Sequence, residues 1–419
     1  MRRKQKTMAK QQERQDSYQL GNGLMILGEP MPDVESASFY FLLPAGSAYL
    51  PDGCCGAGEV ITDWMLRGAG SRNSRQLIET LDGLGIHHNT SVSAEHLSLS
   101  ASLEADNVPA AMELCADILT APMLTDDQFE PSKQLALHEL AALDDDPQQK
   151  VRMLVSEQYY PSPYNRPTEG KPAELENLTT QRCRQIIRDQ FDWSKCIFSI
   201  AGKYDFQTIC DILEKRFSAL AGTKVKTPLP GSRGQHYFHE PNDGAQVHIG
   251  LMTTVPTVRD VRYYDIMAAV SILSGSMSSR LFTEVREKRG LCYAVGARYK
   301  SLKDFAAISG YAGTTPEQAQ ETLDVMIDQF RQLRKGISDD EMHRAKIGLK
   351  SSLIMQCESS ATRAAGIAAD HAHLGRVRTM QEIRDAIEAV SVSSVLAFLN
   401  DNLFEDFTVA TIGPKPIQH

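Results

Sequence analysis

The chain has no run approaching the roughly 18 consecutive apolar residues that a membrane-spanning helix requires. It also lacks positive charge: 44 Lys and Arg stand against 53 Asp and Glu, a formal net charge of −9. Nonspecific nucleic-acid binding needs the opposite balance, so that class is excluded, although a local basic patch lining a cleft is not. The eight cysteines, Cys54, Cys55, Cys115, Cys183, Cys196, Cys210, Cys292 and Cys357, contain no C-x-x-C pair. Scattered in a chain this long, they read as reduced and mostly buried thiols. The segment Met1 to Ser17 has no apolar stretch of the secretory kind. Arg2, Arg3, Lys4 and Lys6 begin like a mitochondrial presequence, but no amphipathic apolar face follows. The expectation is a polar tail over 1–17 and a cytoplasmic location.

What is present is the composition of a globular protein, 42% hydrophobic and 23% charged. A length of 419 residues exceeds what one ordinary core accommodates, so at least two domains are expected. The segment from Gly222 to Gly234 (GTKVKTPLPGSRG) is rich in turn formers and has little hydrophobic period. It divides the chain into an N-terminal domain over 18–221, a linker over 222–234 and a C-terminal domain over 235–419.

Both sides carry the same order of signals. Gly21 to Leu43 reads as a hairpin around Asn22-Gly23, followed by helices over Gly56 to Leu66 and Ser74 to Leu84. An alternating strand, His96 to Leu103, leads to helices over Val108 to Leu119 and from Thr125-Asp126 to Ala142. On the C-terminal side come a strand over Val247 to Met252 and helices over Tyr264 to Leu273 and Arg280 to Lys288. Strands near Tyr293 to Tyr299 and Phe305 to Tyr311, and a long helix over Pro316 to Arg334, complete the parallel. Asp126-Asp127 and Asp339-Asp340 open corresponding helices at the same stage of each half. The pattern implies a tandem duplication of one α+β unit, a mainly antiparallel sheet with helices on one face.

The segment Ser278 to Val295 (SSRLFTEVREKRGLCYAV) and the closing Gly413-Pro414 carry a resemblance. They are similar to the inverted-zinc-motif peptidases: pitrilysin, insulinase and the subunits of the mitochondrial processing peptidase. The resemblance covers essentially the whole chain after about Tyr18. It implies H-x-x-E-H on a helix in the N-terminal half and a third ligand, a glutamate, on a helix well downstream. The layout exists in CGAGEVITDWMLRGAG, but the five positions read Glu59-Val60-Ile61-Thr62-Asp63, with Glu139 at the distal ligand position.

These changes matter chemically. Hydrolytic zinc takes three protein ligands, often two imidazoles and a carboxylate, and a nearby carboxylate accepts the proton of the metal-bound water. Glu59, Asp63 and Glu139 would offer three carboxylates, a set suited to harder cations. Thr62 is no general base near neutral pH. Asp63 and Arg67, spaced i,i+4, read as an ordinary ion pair in preference to a repurposed metal site. The other histidines give no ligand set: His87 and His88 point to opposite faces of a strand, His96 flanks one, and His138-Glu139 lacks a second histidine at Ala142. His371 and His373, spaced i,i+2, do not share a helix face.

Arg286 and Tyr293 match the family's Arg/Tyr pair, which reaches over the zinc of an opposing half or subunit. Tyr hydroxyl can donate to an oxyanion and Arg can anchor a carbonyl. The competing reading is a charged helix face (REKR) and a half-buried strand residue. The resemblance therefore implies a zinc-less subunit, inactive alone, that lends Arg286 and Tyr293 to a zinc-bearing homologous partner and helps capture an unstructured peptide. It would need no cofactor of its own and could homodimerise in isolation. Two alternatives are a scaffolding homologue without a peptidase role and a self-sufficient enzyme using the carboxylates; Thr62 weighs against the latter.

Overall fold

The computed structural model describes residues 15–223, 225–401 and 404–419. Most of the expected polar tail, residues 1–14, thus lies outside the described residues, while Asp16 and Ser17 already belong to a strand. The N-terminal half begins with strands β1 (Asp16–Gln19), β2 (Met25–Pro30) and β3 (Ser36–Leu43), then helix α1 (Ala57–Met65). A two-stranded ribbon, β4 (Gly68–Ala69) and β5 (Arg72–Asn73), leads to α2 (Ser74–Gly83), β6 (His87–Val92) and β7 (Leu97–Glu104). Helices α3 (Val108–Thr120), α4 (Asp126–Ala142), α5 (Pro147–Tyr159), α6 (Pro172–Glu176) and α7 (Thr180–Gln190) follow. Strand β8 (Ile197–Gly202) and α8 (Phe206–Phe217) close the half.

The C-terminal half opens with β9 (Tyr237–Pro241), β10 (Val247–Thr254) and α9 (Tyr263–Ser274). A π-helical turn over Phe282–Glu287 precedes β11 (Cys292–Ser301) and β12 (Ala306–Thr314). Helices α10 (Ala319–Gln332), α11 (Asp339–Cys357), α12 (Ser360–Leu374), α13 (Met380–Ala389) and α14 (Val392–Leu399) lead to β13 (Thr408–Gly413). Residues 220–223 and 225–235, where the sequence predicts the junction, carry neither helix nor strand.

The duplication is written in the strand order. The first sheet runs β1-β2-β8-β3-β7-β6 and the second β11-β12-β10-β13-β9. Read from the other edge, the second sheet repeats the first without β1. In each, the half's last long strand slots between its opening strands and forms the one parallel pair, β2 with β8 and β13 with β9. Every other pair within these two sheets is antiparallel.

One local expectation holds only in part. Asn22-Gly23 turns the chain between β1 and β2, but β2 and β3 do not form a hairpin, because β8 lies between them. Burial selects that arrangement: Ile197 to Gly202 is buried at every position, as a strand in mid-sheet must be.

Each sheet has one face on its own helices. Phe39 and Phe41 of β3, Phe198 of β8 and Phe217 of α8 form an aromatic centre in the first half, with Phe41 and Phe198 centroids 4.8 Å apart. The opposite faces are met by exchanged helices. From the N-terminal half, α5 places Val151, Val155 and Tyr159 on Met252, Tyr311 and Ile412 of the second sheet. From the C-terminal half, α12 places Ile367 and Ala368 on Leu27, Leu42 and Ile197 of the first. A buried ion pair between Arg363 and Glu29 and a hydrogen bond from Ser199 Oγ to the Ala364 carbonyl (2.7 Å) fix α12 in place.

Candidate functional site

Helix α1 starts where the backbone needs glycine. Gly56 adopts φ 88°, and a Cβ there would come within 2.7 Å of the Cα of Gly170. This close approach brings the 160–170 loop against the first turn of α1. A carboxylate from α6 reinforces it, Glu174 Oε2 accepting from the Cys55 N–H at 2.8 Å.

On that turn Glu59 is half-buried, and its carboxyl is pushed up to about 7, first by burial and then by the negative fields of Glu139 and Glu169. Glu139, exposed on α4, thus lies close enough to act on Glu59, and α1 packs along α4. Asp63 turns elsewhere: its carboxylate accepts from Arg67 Nε at 2.5 Å. The Thr62 hydroxyl is buried and donates to the Glu59 carbonyl at 2.9 Å, within its own helix. Among the described residues no three His, Cys, Asp or Glu side chains gather as a cation-holding group.

These positions do not fit a catalytic zinc. The donor set has no imidazole; one carboxyl is held partly protonated near neutral pH, one is committed to Arg67, and the position of the general base is a hydroxyl already hydrogen-bonded. Of the histidines, His96 is half-buried, and desolvation followed by the His373 and Lys303 charges pushes it down to about 4.

The second group sits on two backbone irregularities. Arg286 lies in the π-helical turn Phe282–Glu287, and Tyr293 lies at a bulge where the β11–β12 register shifts between Cys292 and Ala294. Such insertions cost regular hydrogen bonding and re-aim side chains, and they concentrate at functional sites. The Arg286 guanidinium rests 4.8 Å from the Tyr293 ring and 4.8 Å from the Phe282 ring. Tyr293 is 81% exposed.

The neighbouring charges behave differently. Lys288 and Arg289 both pair with Glu284, at 2.6 and 2.7 Å. Among the described residues Arg286 has no carboxylate partner, and neither its guanidinium nor the Tyr293 hydroxyl has a hydrogen-bonding acceptor or donor. An ordinary charged helix face explains Lys288 and Arg289 but not Arg286. The structure brings Arg286 to Tyr293 and Glu139 near Glu59, and among the described residues no hydrogen bond or ion pair joins the two sets.

Sequence reading missed a third group. A cavity of about 850 Å³ between the halves is lined by Arg152 and Glu169 from one and by Arg298 and Lys300 from the other. The signal was available: Arg298-Tyr299-Lys300 places two cations two apart on one strand, hence on one face.

Comparison with known proteins agrees with this fold. The family model described as insulinase (peptidase family M16) matches residues 26–171, and that of the peptidase M16 inactive domain matches 177–349. An uncharacterized zinc protease of Rickettsia felis is 26% identical over 406 residues, covering 95% of this chain and 97% of the relative. A protease from Helicobacter pylori superposes with a TM-score of 0.88 at 20% identity, covering 97% of this chain and all of that one (100%). A Pseudomonas fluorescens structure titled as a peptidase M16 inactive domain gives 0.88 at 18% identity, with 97% and 99% covered. With both halves matched in order and the duplicated fold shared, this chain belongs to the insulinase family of peptidases, M16.

Proposed function

We propose that this chain is the noncatalytic, zinc-less subunit of a heterodimeric metallopeptidase. It lends Arg286 and Tyr293 to the active site of a zinc-bearing homologous subunit and supplies half of a peptide-binding chamber. The observation that carries the reading is the uncommitted Arg286–Tyr293 pair, stacked at 4.8 Å on an exposed surface. A scaffold gains nothing from an exposed guanidinium held by two rings on irregular backbone. A subunit that completes a neighbour's site does, because a phenol and a guanidinium preset in position can meet charge developing on a scissile carbonyl. The edge strands β6 and β11 offer unpaired backbone for an extended peptide. In this reading zinc and the activated water belong to the partner.

The test mixes the chain with a zinc-bearing homologue and follows cleavage of an unstructured peptide. Tyr293→Phe removes one exposed hydroxyl, so folding and assembly should be unchanged while turnover falls about 10²–10³-fold. Arg286→Ala should also weaken peptide affinity. If both variants assemble normally and support wild-type cleavage, the division of labour is wrong and the scaffolding role takes its place.

A further inference from the structure

The inter-halves cavity has one wall from α5 and the 160–169 loop and another from β11. Arg152 enters from α5; Arg298 and Lys300 enter from β11, where they pair in register with Ser309 and Ala307 of β12. The Arg152 guanidinium lies 5.0 Å from the Tyr311 ring, and the Gln148 carboxamide oxygen, in its satisfied orientation, accepts from it at 2.5 Å.

These three cations are compensated only through space, Lys300 by Glu169 and Arg152 by Asp146. Among the described residues none of them has a carboxylate within ion-pairing distance. Lys150, two residues from Arg152, shows the contrast by pairing with both Asp144 and Glu240. Two acids do line the cavity, but each has another task. Asp146 caps α5 by accepting from the Gln149 N–H at 3.0 Å, and Glu169 accepts from the Thr168 hydroxyl at 3.1 Å. Burial, followed by the fields of Arg298 and Arg152, pushes the Lys300 ammonium down to about 8. Like charges gathered in a partly desolvated space destabilise the free protein, and an arriving anion relieves that cost.

We propose that Arg152, Arg298 and Lys300 anchor a carboxylate of a bound peptide, either its C-terminus or an acidic side chain. Three features select this ligand. Arginine presents a planar fork that matches a carboxylate with two parallel hydrogen bonds. Strand β11 is a sheet edge, so a peptide pairing with it would run alongside Arg298 and Lys300, whose two-residue spacing is that of alternate side chains in an extended strand. The cavity is also lined by Glu169, and the adjacent Gly170 packs on Gly56 at the start of α1, so the cations stand near the helix of the zinc-motif positions. The site rests on the reading of the chain as half of a peptide chamber and adds a preference for acidic or carboxyl-terminal peptides.

The experiment measures binding of fluorescent unstructured peptides to the full chain by anisotropy. Three probes share one sequence: a free C-terminal carboxylate, its C-terminal amide, and the amide carrying one internal glutamate. At neutral pH at least one carboxylate-bearing probe should bind about 10-fold more tightly than the plain amide, as expected for a charge-assisted hydrogen bond. Which one does so identifies the source of the carboxylate. The double variant Arg298→Gln and Lys300→Gln should erase the preference. Raising the salt should shrink the preference in the wild-type chain, a readout that does not depend on the variant folding. Equal affinity for all three probes would overturn the carboxylate site and leave the chamber standing. No binding of any probe, with or without a zinc-bearing partner, would remove the chamber and the site together.

Discussion

The helix that holds the zinc-motif positions and the turn that holds Arg286 differ in how their polar groups are spent. On α1, Asp63 is taken by Arg67, Thr62 by its own backbone, and Glu59 is held partly protonated by burial and neighbouring acids. Near β11, Arg286 and Tyr293 stand on a π-turn and a bulge with polar atoms uncommitted among the described residues. On α1 Asp63 and Thr62 are met within the chain, which avoids the roughly 1–3 kcal/mol that an unmet buried polar group costs, while Glu59 stays under the repulsion of its neighbours. Under the proposed division of work, the irregular backbone and unspent donors at Arg286 and Tyr293 serve the partner's site. The two regions therefore point in opposite directions, although they belong to halves with the same topology.

The contrast depends on the halves being locked together, and the exchanged helix α12 is where to break it. Arg363→Ala would leave the half-buried Glu29 without its cation; loss of one partner of such a partly screened pair costs about 3 kcal/mol. Urea unfolding should show that loss. An effect near zero would mean that α12 is held by its apolar contacts and the Ser199 hydrogen bond without help from the ion pair.

A smaller effect sharpens the picture of α1. Glu59 has its folded pKa raised to about 7 from a reference of 4.5, so between those values the folded state binds more protons than the unfolded one. Its contribution to stability therefore declines as pH rises through that window, and above about pH 7 the ionised carboxylate is a net cost. Glu59→Gln should stabilise the protein by about 1–3 kcal/mol at pH 8 and change little at pH 4.5. Thermal unfolding at the two pH values measures it. A variant less stable at pH 8 would show that the carboxylate has a cationic partner in solution.

Much of the fold could be read from the chain because each half repeats one order of local signals. The Asp126-Asp127 and Asp339-Asp340 helix starts both appear where periodicity places them, opening α4 and α11. Long-range choices were not legible. An amphipathic helix does not say which sheet it covers, so nothing in α5 or α12 announced their exchange. Nor does a turn at Asn22-Gly23 reveal that β8, from the far end of the half, displaces β3 from β2. At the site, Glu59, Thr62, Asp63, Arg286 and Tyr293 were found by motif position. The partners that decide their state, Glu169 beside Glu59 and Phe282 beside Arg286, come from loop packing and a π-turn that spacing does not encode. The Arg298–Lys300 alternation was visible, but its meaning depended on Arg152 arriving from the other half.

A division of catalytic work between two chains is tested most directly by separating and recombining them. Peptide cleavage should be followed for this chain alone, for a zinc-bearing homologous subunit alone, and for their mixture, each with and without a chelator. Turnover is expected only in the mixture, and the chelator should abolish it. Chelator-sensitive cleavage by this chain alone, at a rate the partner does not raise, would contradict the division.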